Sequence, residues 1–280
     1  MKVEVLMSTY NGENCIDEQL KSIANQATPV HITIRDDGSK DRTIEIVKKY
    51  KEIALIPGEN QGATESFLSL IELAPEADYY AFADQDDVWD NDKIDIAINT
   101  LKAYTDRPAI YSGNTRLVDG NLNFIKNEDL NPKTSLGSAI VKNYATGCTV
   151  VFNKALMVEL KKYRPNNVPF HDWWVNLVCL SIGGTSLYDI EPHMSYRQHG
   201  NNVVGGNDSV WKKWTSRLMK FNKPYHRDEM AKQILDAYDV GTDEKKILKS
   251  IAEKKNDKSL KTGKRLDDFL FRICLMTGKI

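Results

Sequence analysis

The chain reads as an α/β protein, a doubly wound layer structure around a mostly parallel sheet with a helical C-terminal extension. Three observations predict this. Short apolar runs alternate with helix-periodic segments through the first hundred residues, as βαβ units require. Polar clusters follow those runs, at the strand ends where open parallel sheets bind ligands. Beyond Gly205-Gly206 the sequence becomes Lys-rich and helical, so a boundary falls there, between 1–205 and 206–280.

The elements follow in order. Val3–Ser8 is a buried strand, and Glu13–Asn25 carries Ile16, Leu20 and Ile23 at helical spacing. His31–Arg35 and Thr43–Tyr50 repeat the pair as strand and helix. Ile53–Ile56 and Ala63–Leu73 do so again, followed by the strand Tyr79–Ala83 and the helix Lys93–Tyr104. The rhythm then changes. Ala109–Val118 reads as one strand, and the polar stretch Asp119–Ser135 as a loop. Thr149–Phe152 is a strand, Lys154–Lys162 and Trp173–Ser181 are helices, and Thr185–Tyr196 holds one or two strands.

Composition narrows the function classes. Net charge is −1, which gives no sign of nucleic-acid binding. The four cysteines show no C-x-x-C spacing, so no zinc site is expected and the thiols read as reduced, in a cytoplasmic protein. The N-terminus has no signal-peptide pattern, and no apolar run is long enough to span a bilayer.

Four polar clusters fall at strand ends: Ser8-Thr9-Tyr10-Asn11, Asp36-Asp37-Gly38-Ser39, Asn60-Gln61-Gly62 and Asp84-Gln85-Asp86-Asp87. Turn chemistry explains one of them, and four on one rim point to a ligand. Asp36 and Asp37 can accept the N–H of a pyrimidine ring or a ribose hydroxyl, while Ser39 or Asp41 caps the next helix. Three carboxylates within Asp84–Asp87 repel one another, and a divalent cation removes that cost. Hard oxygen donors suit Mg²⁺ or Mn²⁺ with a substrate phosphate; the bland reading is a solvated acidic turn. His171-Asp172-Trp173-Trp174 sets a carboxylate beside two indoles, which favours a raised pKa and a general base. Indole faces also pack on sugar rings, whereas the competing reading makes Asp172 a helix N-cap and the tryptophans core. Arg197 and His199 at the end of the last strand offer a phosphate donor or metal ligand, or only structural groups.

These residues together resemble a family 2 glycosyltransferase of the GT-A fold, a Rossmann-like, mostly parallel sheet. The resemblance runs through VLMSTYNGE, RDDGSKDRT, ENQGATESF, FADQDDVWDNDKI, ATGCTVVFNKAL, HDWW and YRQHGNN, over residues 1–205. The last two motifs are similar to those of bacterial rhamnosyltransferases of cell-wall and surface polysaccharide synthesis. The resemblance implies that Ser8, Thr9 and Tyr10 line the base and ribose pocket, with Asp37 and Asp36 reading the pyrimidine and Asn60 and Gly62 shaping the pocket. It implies a D-x-D pair of Asp84 and Asp86 holding Mn²⁺ or Mg²⁺, with Gln85 on the donor and Asp87 and Lys93 in support. Asp172 is then the general base, His199 completes the metal or diphosphate site, and His171, Trp173 and Trp174 meet the acceptor. The Q-x-x-R-W motif of processive relatives is absent, which implies addition of one or a few sugars.

The implied reaction is an inverting transfer of L-rhamnose from dTDP-L-rhamnose to a glycan, in particular a lipid-linked one. The rival is a UDP-hexose donor. A nucleotidyltransferase is a more distant reading, because Ser8–Glu13 lacks a basic, Gly-rich phosphate loop. A non-catalytic binding protein would have no need of both Asp86 and Asp172. In the extension, Trp211, Trp214, Leu218 and Phe221 share one helical face, and residues 210–227 carry six Lys/Arg and no acid. Residues 243–280 add 11 Lys/Arg against 6 Asp/Glu. Such a segment fits the inner face of the plasma membrane, or packing on the catalytic domain or a second subunit as a homodimer.

Overall fold

The apolar runs become a seven-stranded sheet. The computed structural model describes residues 1–198 and 225–276. The main sheet is built from β1 (Val3–Thr9), β2 (His31–Asp36), β3 (Ala54–Pro57), β4 (Tyr79–Ala83), β6 (Ala109–Gly113), β9 (Val151–Asn153) and β10 (Thr185–Asp189). Their order across the sheet is β10-β6-β9-β4-β1-β2-β3. β9 alone runs against its neighbours β4 and β6; the other pairings are parallel.

Strand periodicity separates two cores. Leu6, Tyr80, Phe82, Ile110 and Phe152 point to one face, while Val3, Val5, Met7, Ala81, Tyr111 and Val151 point to the other. The second face is covered by α1 (Ile16–Ala24), α2 (Thr43–Val47) and α4 (Lys93–Leu101) through Ile16, Leu20, Ile23, Val47, Ile94 and Ile98. The first face is covered by α3 (Ala63–Leu73), α5 (Leu136–Val141), α6 (Lys154–Leu160) and α7 (His171–Ser181). Covering both faces explains why β4 reads as an unbroken apolar run and why β1 is apolar up to Met7 apart from the buried Glu4.

The extension contributes α8 (Arg227–Ala237), α9 (Thr242–Ala252) and α10 (Arg265–Met276). Met230, Ile234, Leu248, Ile251 and Phe271 are at most 2% exposed. They belong to the same core as Trp174 and Phe82. The Gly205-Gly206 boundary and the aromatic face from Trp211 to Phe221 lie outside the described residues. Among the described residues, no helix is long and apolar enough to cross a membrane.

The structure departs from the sequence reading between residues 109 and 197. The single strand expected over Ala109–Val118 breaks at Gly113 into β6 and β7 (Arg116–Val118), which lie in different sheets. Asn114 makes the break, donating from its amide to the carbonyls of Leu130 and Ile190. The loop expected over Asp119–Ser135 contains β8 (Phe124–Asn127), turned back onto β7 by Asp119, whose carboxylate accepts the Asn121 and Asn123 N–H groups. With β5 (Val88–Trp89) and β11 (Met194–Arg197), these strands form a second sheet of order β5-β11-β7-β8. This small sheet grips the chain immediately after the acidic run, because Ser195 of β11 pairs with Val88.

Candidate functional site

At the carboxyl end of β1, Thr9 Oγ1 donates to Asp36 Oδ1 at 2.9 Å. Asp36 also accepts from the N–H groups of Gly38 and Ser39 and from the Ser39 hydroxyl, at 3.1, 2.8 and 2.6 Å. Gly38 sits at φ +82°, which an L side chain rarely adopts. Asp37 accepts from Arg35 Nη1 at 2.5 Å and from the N–H groups of Gln61 and Gly62 at 3.0 and 2.9 Å. These bonds hold the Asn60–Gly62 loop, and Gly62, at φ +86°, starts α3. Asp36 and Asp37 are 1% and 2% exposed, so both are already committed to shaping this rim. Ser8 donates to Ser66 at 2.8 Å, and Tyr10 stands exposed at the edge.

Gln85 ties the β1 and β4 ends together. Its Oε1 accepts the Tyr10 N–H and its amide donates to the Tyr10 carbonyl, both at 2.9 Å. Gly12 permits this approach, since a Cβ there would lie 2.3 Å from Gln85 Oε1. Gln19, fully buried on α1, donates to the Asp84 carbonyl at 2.9 Å. Sequence reasoning missed Gln19; a polar residue in an apolar helical stripe was the available signal.

Arg197 is more central than the sequence suggested, and in a different role. Its N–H donates to Asp87 Oδ1 at 3.2 Å and its Nε to the Asp86 carbonyl at 2.8 Å. Its remaining nitrogens bond Gly120 O and Glu18 Oε2, both at 2.5 Å. The backbone N–H and Nε thus hold the acidic run, while Nη1 and Nη2 tie in Gly120 and Glu18; with the side chain 5% exposed, the phosphate-pairing role read from the sequence does not fit. His199 lies outside the described residues.

The acidic run is strained electrostatically. Burial, then the Asp86 and Asp172 carboxylates, push Asp84 up to about 7. Burial and the Asp84 and Asp86 charges hold Asp87 well above the carboxylate range, and its Oδ2 is buried with no hydrogen-bond partner among the described residues. Asp84, Asp87 and Cys148 bring ligand atoms within 4.8 Å of one another. Burial keeps the Cys148 thiol protonated, and a thiol is a poor donor to a hard cation. Lys93, 2% exposed with its Nζ 3.6 Å from the Trp89 ring centre, is pushed down to about 7 by burial. Its ammonium has no hydrogen-bond acceptor among the described residues. Asp87, Cys148 and Lys93 thus form a buried layer behind Asp84. Asp84 and Asp86 are half-buried carboxylates of the run, near enough for the Asp86 charge to raise Asp84. This donor set fits a divalent cation, whose charge would relieve the repulsion that raises Asp84.

Asp172 lies in the first turn of α7. The residue before that helix is Phe170, with no side-chain cap, so the N-cap reading of Asp172 does not hold. Its carboxylate accepts from Gly147 N at 2.8 Å, Trp173 N at 2.6 Å and Asn143 Nδ2 at 3.1 Å. Burial outweighs these bonds and raises it to about 6. Gly147 is needed at this contact, because a Cβ would meet His171 Nε2 at 3.1 Å and Asp172 Oδ2 at 3.4 Å. Asp172 borders a cleft of about 290 Å³, with Phe170, Trp173, Tyr225 and Arg227 on its walls.

The neighbours of Asp172 divide. Trp173 borders the cleft and anchors its indole N–H on the Ala139 carbonyl at 2.7 Å. Trp174 is 1% exposed and packs among Tyr163 and Tyr238, so its ring faces are covered by protein. His171 stacks on Phe67 at 3.9 Å, and burial lowers it to about 3, which keeps it neutral. A sugar-stacking role for Trp174, or a direct acceptor contact for His171, does not fit this packing.

Comparison with known proteins bears on the family and the fold. The model of "Glycosyl transferase family 2" matches residues 4–163. The chain is 34% identical over 249 residues to the dTDP-rhamnosyl transferase RfbG of Shigella flexneri, covering 81% of this chain and 82% of that protein. Among solved structures, Staphylococcus aureus TarS 1–349 in complex with UDP-GlcNAc superposes with a TM-score of 0.61 at 18% identity, over 90% of this chain and 72% of that one. The mannosyltransferase PcManGT from Pyrobaculum calidifontis, in complex with GDP-Man and Mn²⁺, gives 0.54 at 17% identity, over 100% and 76%. The fold is GT-A, and the chain is a member of glycosyl transferase family 2.

Proposed function

We propose that the protein transfers L-rhamnose from dTDP-L-rhamnose, with inversion, to a glycan acceptor in bacterial cell-wall or surface polysaccharide synthesis. The likeness to the Shigella dTDP-rhamnosyl transferase over four-fifths of both chains carries the donor assignment. The raised carboxylate of Asp172 on a sugar-sized cleft supports its role as the base.

In this reading the nucleotide lies along the rim of Ser8, Thr9, Tyr10, Asn60 and Gly62, where Asp36 and Asp37 hold the loops in shape. Asp84 and Asp86, with His199, would hold Mn²⁺ or Mg²⁺. A cation there supplies charge compensation for the leaving diphosphate. Asp172 takes the acceptor hydroxyl proton as that oxygen attacks the anomeric carbon from the face opposite the nucleotide. The bond to the diphosphate breaks as the new glycosidic bond forms. Phe170, 47% exposed, and Tyr225 give the acceptor ring an apolar wall. The basic segment before residue 225 would hold the enzyme at the inner face of the plasma membrane, near a lipid-linked acceptor, or against a second subunit.

A donor panel tests the assignment. With Mn²⁺ present, release of dTDP from dTDP-L-rhamnose should exceed release of UDP from UDP-glucose, UDP-galactose or UDP-GlcNAc by at least about a hundredfold, the discrimination a site built on polar contacts achieves. Faster turnover of a UDP-hexose would replace the rhamnosyl reading with its rival.

A further inference from the structure

The cleft at Asp172 does not end where Asp172 stands. A second cavity of about 300 Å³ adjoins it, and the two share Lys142, Asn143 and Asp267. Their junction is an ion pair between Lys142, just beyond α5, and Asp267 in the first turn of α10, at 3.8 Å. Asp267 is 3% exposed, so the pair is anchored from the extension side.

The two chambers differ in chemistry. The inner one is aromatic, with Tyr225 packed against Phe170 and Trp173 at 6.2 and 5.6 Å between ring centres. Arg227 lies 5.1 Å from the Trp173 ring centre and is 3% exposed. Its Nε and Nη2 donate to the Ile140 and Val141 carbonyls, while Nη1 is buried with no acceptor among the described residues. The outer chamber is cationic. Lys133 and Lys264 join Lys142 on its walls. Gly263, at φ +86°, folds the loop before α10 so closely that a Cβ there would lie 3.1 Å from Lys133 Cε. Among the described residues that line the groove, Lys133, Lys142, Arg227 and Lys264 are the cationic side chains and Asp172 and Asp267 the carboxylates.

We infer that this groove takes a glycosyl phosphate: the sugar ring sits in the inner chamber against Phe170 and Tyr225, and its phosphate or diphosphate lies in the outer chamber among Lys133, Lys142 and Lys264. The assignment rests on the reading of Asp172 as the base, which makes the inner chamber the acceptor site. Each chamber lies near the lower end of the roughly 300–1,000 Å³ range of small-molecule sites, the scale of a sugar or a phosphate group rather than a whole nucleotide sugar. A neutral oligosaccharide would gain nothing from three lysines at the second position. The C-terminal extension, through Tyr225, Arg227, Lys264 and Asp267, then supplies acceptor selectivity. A free sugar phosphate and a prenyl-linked sugar diphosphate share this chemistry.

Calorimetry on the full chain saturated with dTDP tests the inference without requiring turnover. The probes are a hexose 1-phosphate, the matching methyl hexoside, and a hexosyl diphosphate of a short isoprenol. The hexose 1-phosphate should bind about tenfold tighter than the methyl hexoside, the worth of one charge-assisted contact. Lys264→Glu and Lys133→Glu change exposed side chains, so the fold should survive, as an unchanged melting temperature would show. Each should remove that tenfold advantage and leave the methyl hexoside as before. Tighter binding of the isoprenyl diphosphate assigns a lipid-linked source, and equal binding a free one. Equal affinity for hexose 1-phosphate and methyl hexoside, or no effect of either charge reversal, overturns the inference. Full transfer activity in Asp172→Asn with the lysine effects intact would remove the base reading alone.

Discussion

At the residue scale the central group is Asp172. Burial raises its carboxylate to about 6 although three N–H groups donate to it. A base acts deprotonated, so kcat should climb with pH up to about 6 and level off above it. A pH–rate profile flat from pH 5 to 8 would contradict this. The acidic run gives a second test. Asp86→Ala should weaken dTDP binding in the presence of Mn²⁺ by about tenfold or more and leave binding in its absence little changed, as calorimetry with and without the cation would show. Equal losses in both conditions would mean that Asp86 acts through the fold rather than through a metal. The acidic run was legible in the sequence because three carboxylates within four residues repel one another unless a cation offsets them. The status of the residues beside Asp172 was not legible. Trp173 and Trp174 are adjacent in sequence and both belong to the core, at 2% and 1% exposed, yet only Trp173 also borders the cleft, since successive positions on a helix face different sides.

At the element scale the rim is a set of loops held by side chain to backbone bonds. Asp37 illustrates the point. Removing its carboxylate strands the Arg35 guanidinium, 9% exposed, and the N–H groups of Gln61 and Gly62. Asp37→Ala should therefore cost about 3–5 kcal/mol in urea unfolding. A loss of nucleotide binding without loss of stability would instead assign Asp37 to the base alone. Gly12→Ala should displace Gln85 and uncouple the β1 and β4 ends, lowering dTDP affinity with little change in stability. The parallel strands and their helices were readable because both faces of the sheet are covered, which makes the central strands mostly apolar. The second sheet was not readable. β5, β7 and β11 are two to four residues long, and the break between β6 and β7 depends on the partners of Asn114, which lie 16 and 76 residues away.

At the scale of the whole molecule, the extension shares the core with the catalytic layers. Arg227 counted among the basic residues of a surface segment, yet it is buried over Trp173. Composition shows charge but not direction, and a guanidinium can be turned inward onto carbonyls and rings. A chain truncated after residue 198 would expose the faces that Met230, Ile234, Leu248, Ile251 and Phe271 cover. It should be insoluble, or unfold without cooperativity, whereas a soluble 1–198 fragment with a sharp thermal transition would show that the extension is dispensable for folding. The functional account places the leaving group at Asp84 and Asp86 and the nucleophile at Asp172, with the Asp172 charge close enough to Asp84 to contribute to its shift. That division of labour is tested most directly by Asp172→Asn, assayed in parallel for dTDP affinity and for transfer from dTDP-L-rhamnose. The account predicts transfer reduced by about 10²–10⁴-fold with dTDP affinity within about twofold of the parent. Transfer at the parent rate, or a loss of nucleotide binding equal to the loss of transfer, would contradict it.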